Sequence, residues 1–502
     1  MVTADKIPPG KTADSTPHVG GTEGKMKILY AAGEALPFAA TGGLGDVMGS
    51  LPAAVKATLG DKADVRVVIP LYPSVRNGWN DKLERVFEGE MTLSWRRQYL
   101  GIYKIERSGV TFYFIDNEYY FKRAQAYGNF DDGERFAFFS KAVLELMRIT
   151  DFYPDILHAN DWQSALSVIY LKRKYAHLER YQRISALYTI HNIDYQGVFG
   201  FDILGDVFEL DEWDRSIVDY SGNINLTKGA IVCADRVTTV SPRYSKEIMT
   251  EYYSAGLYHI LRMYREKIIG IINGIDISYY DPKTDPDIAS NYSADDMTGK
   301  AKNKAALEDI CSFPHSDAPI VAMVSRLASH KGFELVRRVL EEIVCNSDIR
   351  FAVLGTGEAE LEDFFRYMAS RYPDRVCAMI EFNKALSKKI YAGADMFLMP
   401  SKSEPCGLSQ MIASRYGTVA IVREIGGLAD TIIPYNEFEN TGNGFSFVNY
   451  NAHDMMNTVY YARTVYGDGE KWRSIVRRAM DTDFSWHSSA GKYIDLYTSM
   501  QY

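Results

Sequence analysis

The sequence predicts an α/β protein built as two Rossmann-like domains. Three observations carry that expectation. Short apolar runs of strand length alternate with helical patterns along most of the 502 residues, enough chain for two large domains. Gly-rich turns follow two of those runs, at Gly42-Gly43 and at Gly355-Thr356-Gly357. The alternation then restarts at 319–324, where IVAMV reads as a fully buried strand.

Taken in order, residues 27–32 (KILYAA) form the opening strand, and a helix is expected over about 45–59. The Gly-Gly pair between them is not a G-x-G-x-x-G motif and, alone, marks only a tight turn. Strands follow at 65–70 and 110–115, then a helix from about Glu134 that turns Phe136, Phe139, Ala142, Val143 and Leu146 inward. Tyr127 lies just before it. Residues 155–158 form a strand with His158 at its carboxyl end, in HANDWQSAL, where Asp161 and Trp162 start and anchor the next helix. The strand at 186–190 ends in His191-Asn192. A helix through Cys233 carries Lys228, a candidate to face a cleft, and Ser241-Pro242 opens another helix after the strand at 236–240.

The second half repeats the plan. Residues 350–354 form a strand, and the apolar run 396–399 forms another, stopped by Pro400. Pro405 suits the first turn of a helix expected over about 406–416, which puts Glu404 where a strand's carboxyl end meets a helix. Taken alone, Glu404 there is a carboxylate that complements the helix dipole. A strand at 418–422 runs into Gly426-Gly427, and Ser485 caps a closing helix with Tyr493, Ile494 and Leu496 on one face.

Composition narrows the function classes. The chain is 46% hydrophobic and 24% charged, ordinary for a globular protein, and its net charge of −9 argues against nucleic acid or anionic membrane as main partner. A few cations in a cleft would still serve an anionic substrate. Cys233, Cys311, Cys345, Cys377 and Cys406 are scattered and without C-x-x-C spacing, which indicates neither a disulfide framework nor zinc and suits a reducing cytoplasm. No apolar run approaches the roughly 18 residues of a membrane span. Residues 1–25 contain no aromatic and no apolar centre, so they read as a disordered lead rather than a secretory signal, with Met26 as a natural start.

Three motifs in combination are specific. EPCGLSQ followed by YGT and GGLAD, together with SRLASHKG and TIHN, resembles bacterial glycogen synthases and plant starch synthases, over about residues 26–500. These are retaining glucosyltransferases of GT-B architecture. The resemblance implies two Rossmann-like domains facing across a cleft: an acceptor-side domain at 26–265, a nucleotide-sugar domain at 266–485, and a helix at 486–502 crossing back to the first. It implies ADP-glucose as donor and the non-reducing 4-OH of glycogen or another α-1,4-glucan as acceptor, with no separate cofactor, no metal and no nucleic-acid or membrane partner. Oligomeric state stays open. The implied catalytic set is His158, Glu404, Arg326 and Lys331. His158 would sit beside the transferred glucose, Glu404 on its hydroxyls, and Arg326 and Lys331 on the donor phosphates, a guanidinium and an ammonium being complementary diphosphate ligands. Gly42 and Gly43 would bring backbone to the diphosphate and Asp46 would line the glucose or acceptor pocket. Tyr127, His191, Asn192, Asn273, Cys406, Gly407, Leu408 and Thr431 complete the implied substrate-binding residues.

The chain departs from the pattern in three places. Ala40 stands where the family's Lys-x-Gly-Gly-Leu loop has its lysine, and Tyr258-His259 replaces an acidic residue and glycine before the hinge. Ile412 stands where some retaining relatives have a second glutamate, so a glycosidase-like carboxylate pair is not supported. The first departure keeps open a UDP-glucose-dependent or other-product glycosyltransferase, and the changes at 40, 258 and 259 leave room for a weakly active glucan-binding scaffold. No segment resembles the cofactor-lysine region of the pyridoxal-phosphate glucan phosphorylases, which share the broad architecture.

Overall fold

The computed structural model describes residues 24–501, so the expected lead at 1–25 lies outside the described residues apart from Gly24 and Lys25. Two sheets organise the chain. The first has nine strands in the order Ile268–Gly270, Arg236–Thr239, Ser185–Ile190, Ile156–Asn160, Met26–Ala31, Ala63–Pro70, Val110–Asp116, Arg96–Arg107 and Glu84–Leu93. All pairs are parallel except the last two, which form an antiparallel hairpin edge at 84–107 that the alternation of apolar runs did not announce. The second sheet has six parallel strands in the order Val376–Met379, Arg350–Leu354, Ile320–Val324, Met396–Met399, Val419–Arg423 and Phe445–Phe447.

The central strands are buried on both faces, which is why they read as continuous apolar runs such as the MFLM of Met396–Met399. Helices cover them through apolar stripes. Phe333–Asn346 buries Val336, Val339, Leu340, Ile343 and Val344 at helical spacing. In Gly469–Asp481 the Asp468 carboxylate accepts from Glu470 and Lys471 N–H, and Trp472, Ile475, Val476 and Ala479 face inward.

In each sheet the chain departs in opposite directions from one strand. In the first sheet that strand is Met26–Ala31, with Ala63–Pro70 on one side and Ile156–Asn160 on the other. In the second it is Ile320–Val324, flanked by Arg350–Leu354 and Met396–Met399. Such switch points open crevices at the strands' carboxyl ends, the place where open parallel sheets bind ligands.

The first sheet reaches Gly270, past the boundary expected at 265, because Ile268–Gly270 pairs in parallel with Arg236–Thr239. Two crossing segments then run side by side. Ile275 N–H donates to Phe484 O at 2.8 Å, and an added Cβ on Gly274 would meet Trp486 N at 2.5 Å, so only glycine fits there. After this double crossing the helix Trp486–Met500 lies on the first domain. Ser185 Oγ donates to Met500 O at 2.7 Å, and Tyr497 OH to Tyr30 OH at 2.8 Å.

Candidate active site

On the second domain the crevice holds the implied donor residues together. The loop after Ile320–Val324 rests on the Gly355–Gly357 turn: Leu327 N–H donates to Thr356 O and Glu358 N–H to Leu327 O, at 2.9 and 2.7 Å. A Cβ on Gly355 would lie 1.9 Å from Ser325 O, so that turn packs directly against the loop. Arg326 is exposed and, among the described residues, pairs with no carboxylate. Lys331 Nζ lies 2.6 Å from Glu404 Oε2, and Ser401 Oγ donates to the same oxygen at 3.1 Å. Glu404 is buried, and Lys331 is its ion-pair partner among the described residues.

The segment after Glu404 differs from the expected helix. The helix is Ser409–Arg415, so Pro405, Cys406 and Gly407 form a loop, with Gly407 at φ 73° and Leu408 as the residue before the helix. The reason is glycine's access to left-handed backbone, which ends the turn before the helix can start. Cys406 is buried, and burial pushes its thiol up to about 12 while the adjacent Asn273 N–H acts in the opposite direction. Asn273, in the first crossing segment, is thus beside the Glu404 loop, and its buried Oδ1 has no partner among the described residues. Thr431 is not placed to touch substrate: it is buried, its hydroxyl donating to Gly427 O at 2.6 Å and accepting from Gln410 Nε2 at 3.1 Å.

On the first domain the structure corrects the histidine assignment. The strand carrying His158 extends to Asn160, which leaves His158 inside the sheet rather than at its end. It is fully buried among Tyr30, Tyr493 and Tyr497. Tyr497 donates its hydroxyl proton to Tyr30, so it accepts from His158 Nδ1 at 2.9 Å; Nε2 in turn accepts from Thr189 Oγ1 at 2.6 Å. Both nitrogens are satisfied and burial depresses the pKa, so His158 is a structural residue of the core.

His191, one strand over, reaches the crevice. Asn160 Nδ2 donates to the carbonyls of His158 and Ala31, at 3.0 and 3.4 Å, so its Oδ1 accepts from His191 Nε2 at 3.0 Å. Burial lowers the His191 pKa to about 3, leaving a neutral ring whose Nδ1 is an acceptor. Asn192 beside it is half-buried, its Oδ1 accepting from Asp194 N–H at 3.0 Å. Asp161 does not cap the helix Trp162–Arg173 as its position suggested. It adopts φ 57°, ψ 176°, a strained backbone for a non-glycine residue, and its Oδ1 accepts from His191 N–H at 2.8 Å. Burial raises the Asp161 pKa to about 7, against the backbone donors of His191 and Asn192 and with a further push from Glu34.

Glu34 and Asp161 are the residues that sequence reasoning missed. Glu34 is buried, and its carboxylate accepts from Thr41 N–H at 2.6 Å, Thr41 Oγ1 at 2.7 Å, Gly45 N–H at 3.0 Å and Gly42 N–H at 3.3 Å. The Gly42 N–H expected to meet a diphosphate is therefore occupied by Glu34. Gly43 opens the helix Gly43–Leu59 and is exposed, which leaves its backbone as the part of the loop open to the cleft. The only sequence signal for Glu34 was an acid seven residues before Thr41 in an otherwise apolar loop. Tyr127 sits with this group: its hydroxyl is buried, unpartnered among the described residues, and near Glu34, Tyr72 and Asp161. Lys228, by contrast, is buried with its ammonium on Ser216 O and takes no part.

The two halves face each other. Asp46 is partly buried, and burial raises its pKa while Lys384 of the second domain opposes the rise. His330 has its pKa lowered by burial and by Lys331 and Arg326, with Asp194 of the first domain acting in the opposite sense. Beside them a cavity of about 530 Å³ is lined by Asp132, Trp162, Asp194, Tyr195, Gln196 and Phe199. Aromatic walls with interspersed polar groups suit a sugar chain.

Two facing parallel-sheet domains, with two cations at the carboxyl-end crevice of one sheet and a neutral histidine at that of the other, define a GT-B glycosyltransferase. Comparison with known proteins agrees at each level. Residues 27–263 match the family model described as starch synthase catalytic domain, and residues 311–464 match glycosyl transferases group 1. The chain is 46% identical over 478 residues to a glycogen synthase of Anoxybacillus flavithermus, covering 95% of this chain and 98% of that one. It is 46% identical over 479 residues to a glycogen synthase of Streptococcus mutans, covering 95% and 100%. The solved catalytic domain of starch synthase IV from Arabidopsis thaliana, bound to ADP and acarbose, superposes with a TM-score of 0.86 at 33% identity, over 95% of this chain and 99% of that one. The chain belongs to the glycogen and starch synthase family.

Proposed function

We propose that the protein transfers glucose from ADP-glucose to the non-reducing 4-OH of an α-1,4-glucan, with retention at the anomeric carbon. The observation that carries this reading is the Lys331–Glu404 pair beside unpaired Arg326, set across the cleft from neutral His191. In the reaction the bond from the sugar C1 to the diphosphate breaks and a bond from the acceptor oxygen to C1 forms. The acceptor's proton passes to an oxygen of the departing phosphate, on the same face. Negative charge grows on the diphosphate as the bond parts, so fixed cations aimed at it lower the barrier. Arg326 supplies a forked donor. Lys331, already held by Glu404, bridges the phosphate and the carboxylate, and Glu404 accepts from the sugar hydroxyls.

His191 takes the place first assigned to His158, with Nδ1 accepting from a sugar hydroxyl and no charge of its own to repel the oxocarbenium-like carbon. Trp162 and Tyr195 form the walls along which the acceptor runs. No step calls for a metal or a cofactor. The starch synthase IV neighbour, bound to ADP and acarbose, supports an adenine nucleotide donor and a glucan-like acceptor.

A second reading has its own observation: Ala40 is exposed, so one cation implied by the resemblance is missing and donor choice can differ. The test is glucose transfer onto glycogen with ADP-glucose and UDP-glucose supplied separately. Preference for ADP-glucose supports the first reading and preference for UDP-glucose the second. Glycogen binding without turnover on either would replace both with a scaffold role.

A further inference from the structure

Away from the reacting groups, the domains are joined by a reciprocal pair of carboxylates. Asp430, in Gly426–Thr431 of the second domain, accepts from Ser241 Oγ at 2.6 Å and from Arg243 N–H at 2.9 Å in the first. Glu247 of the first domain accepts from Gly426 N–H of the second at 3.0 Å, its other oxygen held by Arg243 Nε at 2.9 Å. Each domain thus supplies an acid to the other's backbone.

The partner of Glu247 touches the site. Gly426 has φ 45°, and a Cβ there would lie 2.0 Å from Glu404 O, so its backbone abuts the backbone of Glu404. Gly427 N–H donates to Pro405 O at 3.1 Å and to Glu404 O at 3.3 Å. A second link runs in parallel: Arg423 donates to Tyr253 OH of the first domain at 3.2 Å and to Lys402 O at 3.0 Å, next to the Ser401 that holds Glu404.

We propose that Asp430 and Glu247 are positioning residues, a two-carboxylate latch that fixes the Glu404 loop against the first domain's half of the site as the cleft closes. In an interior as densely packed as this, a shift at Gly426 moves the Glu404 backbone with it, and a misplacement of about 1 Å at a reacting centre costs about a hundredfold in rate. The kinetic part rests on the glucosyl-transfer reading; the closure part does not.

The experiment compares the full chain with Asp430→Ala, Asp430→Asn and Glu247→Gln. Asp430 is exposed, so its replacement leaves the fold intact. With ADP-glucose and glycogen, Asp430→Ala lowers kcat about tenfold or more with little change in donor KM, since the latch orients and does not bind. Asp430→Asn, which keeps an acceptor oxygen, recovers part of the loss, and Glu247→Gln falls between. Small-angle scattering of the ligand-free proteins gives a larger radius of gyration for Asp430→Ala than for the parent. Unchanged kcat and unchanged dimensions overturn the latch, as does loss of kcat without expansion or expansion without loss. A parent that turns over no nucleotide sugar overturns the proposed function instead, and the scattering comparison then decides the latch alone.

Discussion

The two switch points present the cleft with opposite chemistry. On the second domain Arg326 is exposed and unpaired among the described residues, and Lys331 is paired with buried Glu404. On the first domain two ionisable groups are desolvated: burial brings Asp161 up to about 7 and His191 down to about 3. Burial favours the neutral form of both. On the proposed reading, the difference suits what each half would hold. A diphosphate gains charge as it leaves and is stabilised by cations that stay charged, whereas a sugar carbon gaining positive character is served by groups that orient hydroxyls without adding positive charge.

The largest effects should come from the cationic half. Arg326→Ala and Lys331→Ala should each lower kcat by about two to three powers of ten, the scale of losing one electrostatic donor at a developing charge. The two should part on stability. Arg326→Ala leaves the melting temperature near the parent's. Lys331→Ala strands the Glu404 carboxylate, which costs about 3 kcal/mol. Thermal melts beside steady-state rates check both, and equal melting temperatures would break the distinction between a free and a paired cation.

Next come the two histidines. His191→Ala should lower turnover about a hundredfold with modest loss of stability. His158→Ala should show the reverse, losing about 3 kcal/mol through two hydrogen bonds and a cavity, while the folded fraction turns over like the parent. Urea unfolding paired with active-site-normalised rates separates the cases. A dead but stable His158→Ala would restore the assignment that the sequence motif suggested.

The pair also shows what could be read without coordinates. Alternation of apolar runs placed most of the parallel strands, the Arg326–Lys331 loop at a strand end and Glu404 at another, because buried parallel strands and Gly-rich turns are local signals. It could not tell His158 from His191. Each follows a run of strand length, and the outcome depends on where pairing stops: the strand of His158 runs on to Asn160, while that of His191 ends at Ile190. Thr431 and Lys228 failed for a related reason, since both turn into their own domain and neither direction is written in a motif. The antiparallel edge, the helix start at Ser409 and the reach of the first sheet to Gly270 depended on pairing and backbone angles rather than composition.

A pH-dependent effect tests the desolvated half directly. Asp161 has its folded pKa raised to about 7 from 3.8, so between those values the folded state binds a proton that the unfolded chain has released. Its contribution to stability is therefore present in full below about pH 4 and is lost as pH rises through 7, of order 4 kcal/mol. Asp161→Asn carries no such titration. Stability measured across pH 4 to 8 should show Asp161→Asn gaining on the parent as pH rises; parallel curves would mean that the carboxyl is ionised throughout.

The smallest expected change in stability is at Ala40, and it bears on donor choice. The residue is exposed, and the loop it belongs to is held from behind by Glu34 on Thr41, Gly42 and Gly45. A lysine there can extend into the cleft without disturbing those bonds, so Ala40→Lys should change stability by less than about 0.5 kcal/mol. It would add a cation on the first-domain side, where Asp161 and His191 are desolvated. If the cationic half already supplies the charge that the diphosphate needs, a further cation improves binding of either nucleotide sugar alike, lowering donor KM a few-fold, about what one screened charge contributes. If the missing lysine instead governs which nucleotide is accepted, the KM values for ADP-glucose and UDP-glucose should move apart. Measuring both donors on the parent and on Ala40→Lys therefore asks whether charge is confined to one side of this cleft by necessity or only in this chain.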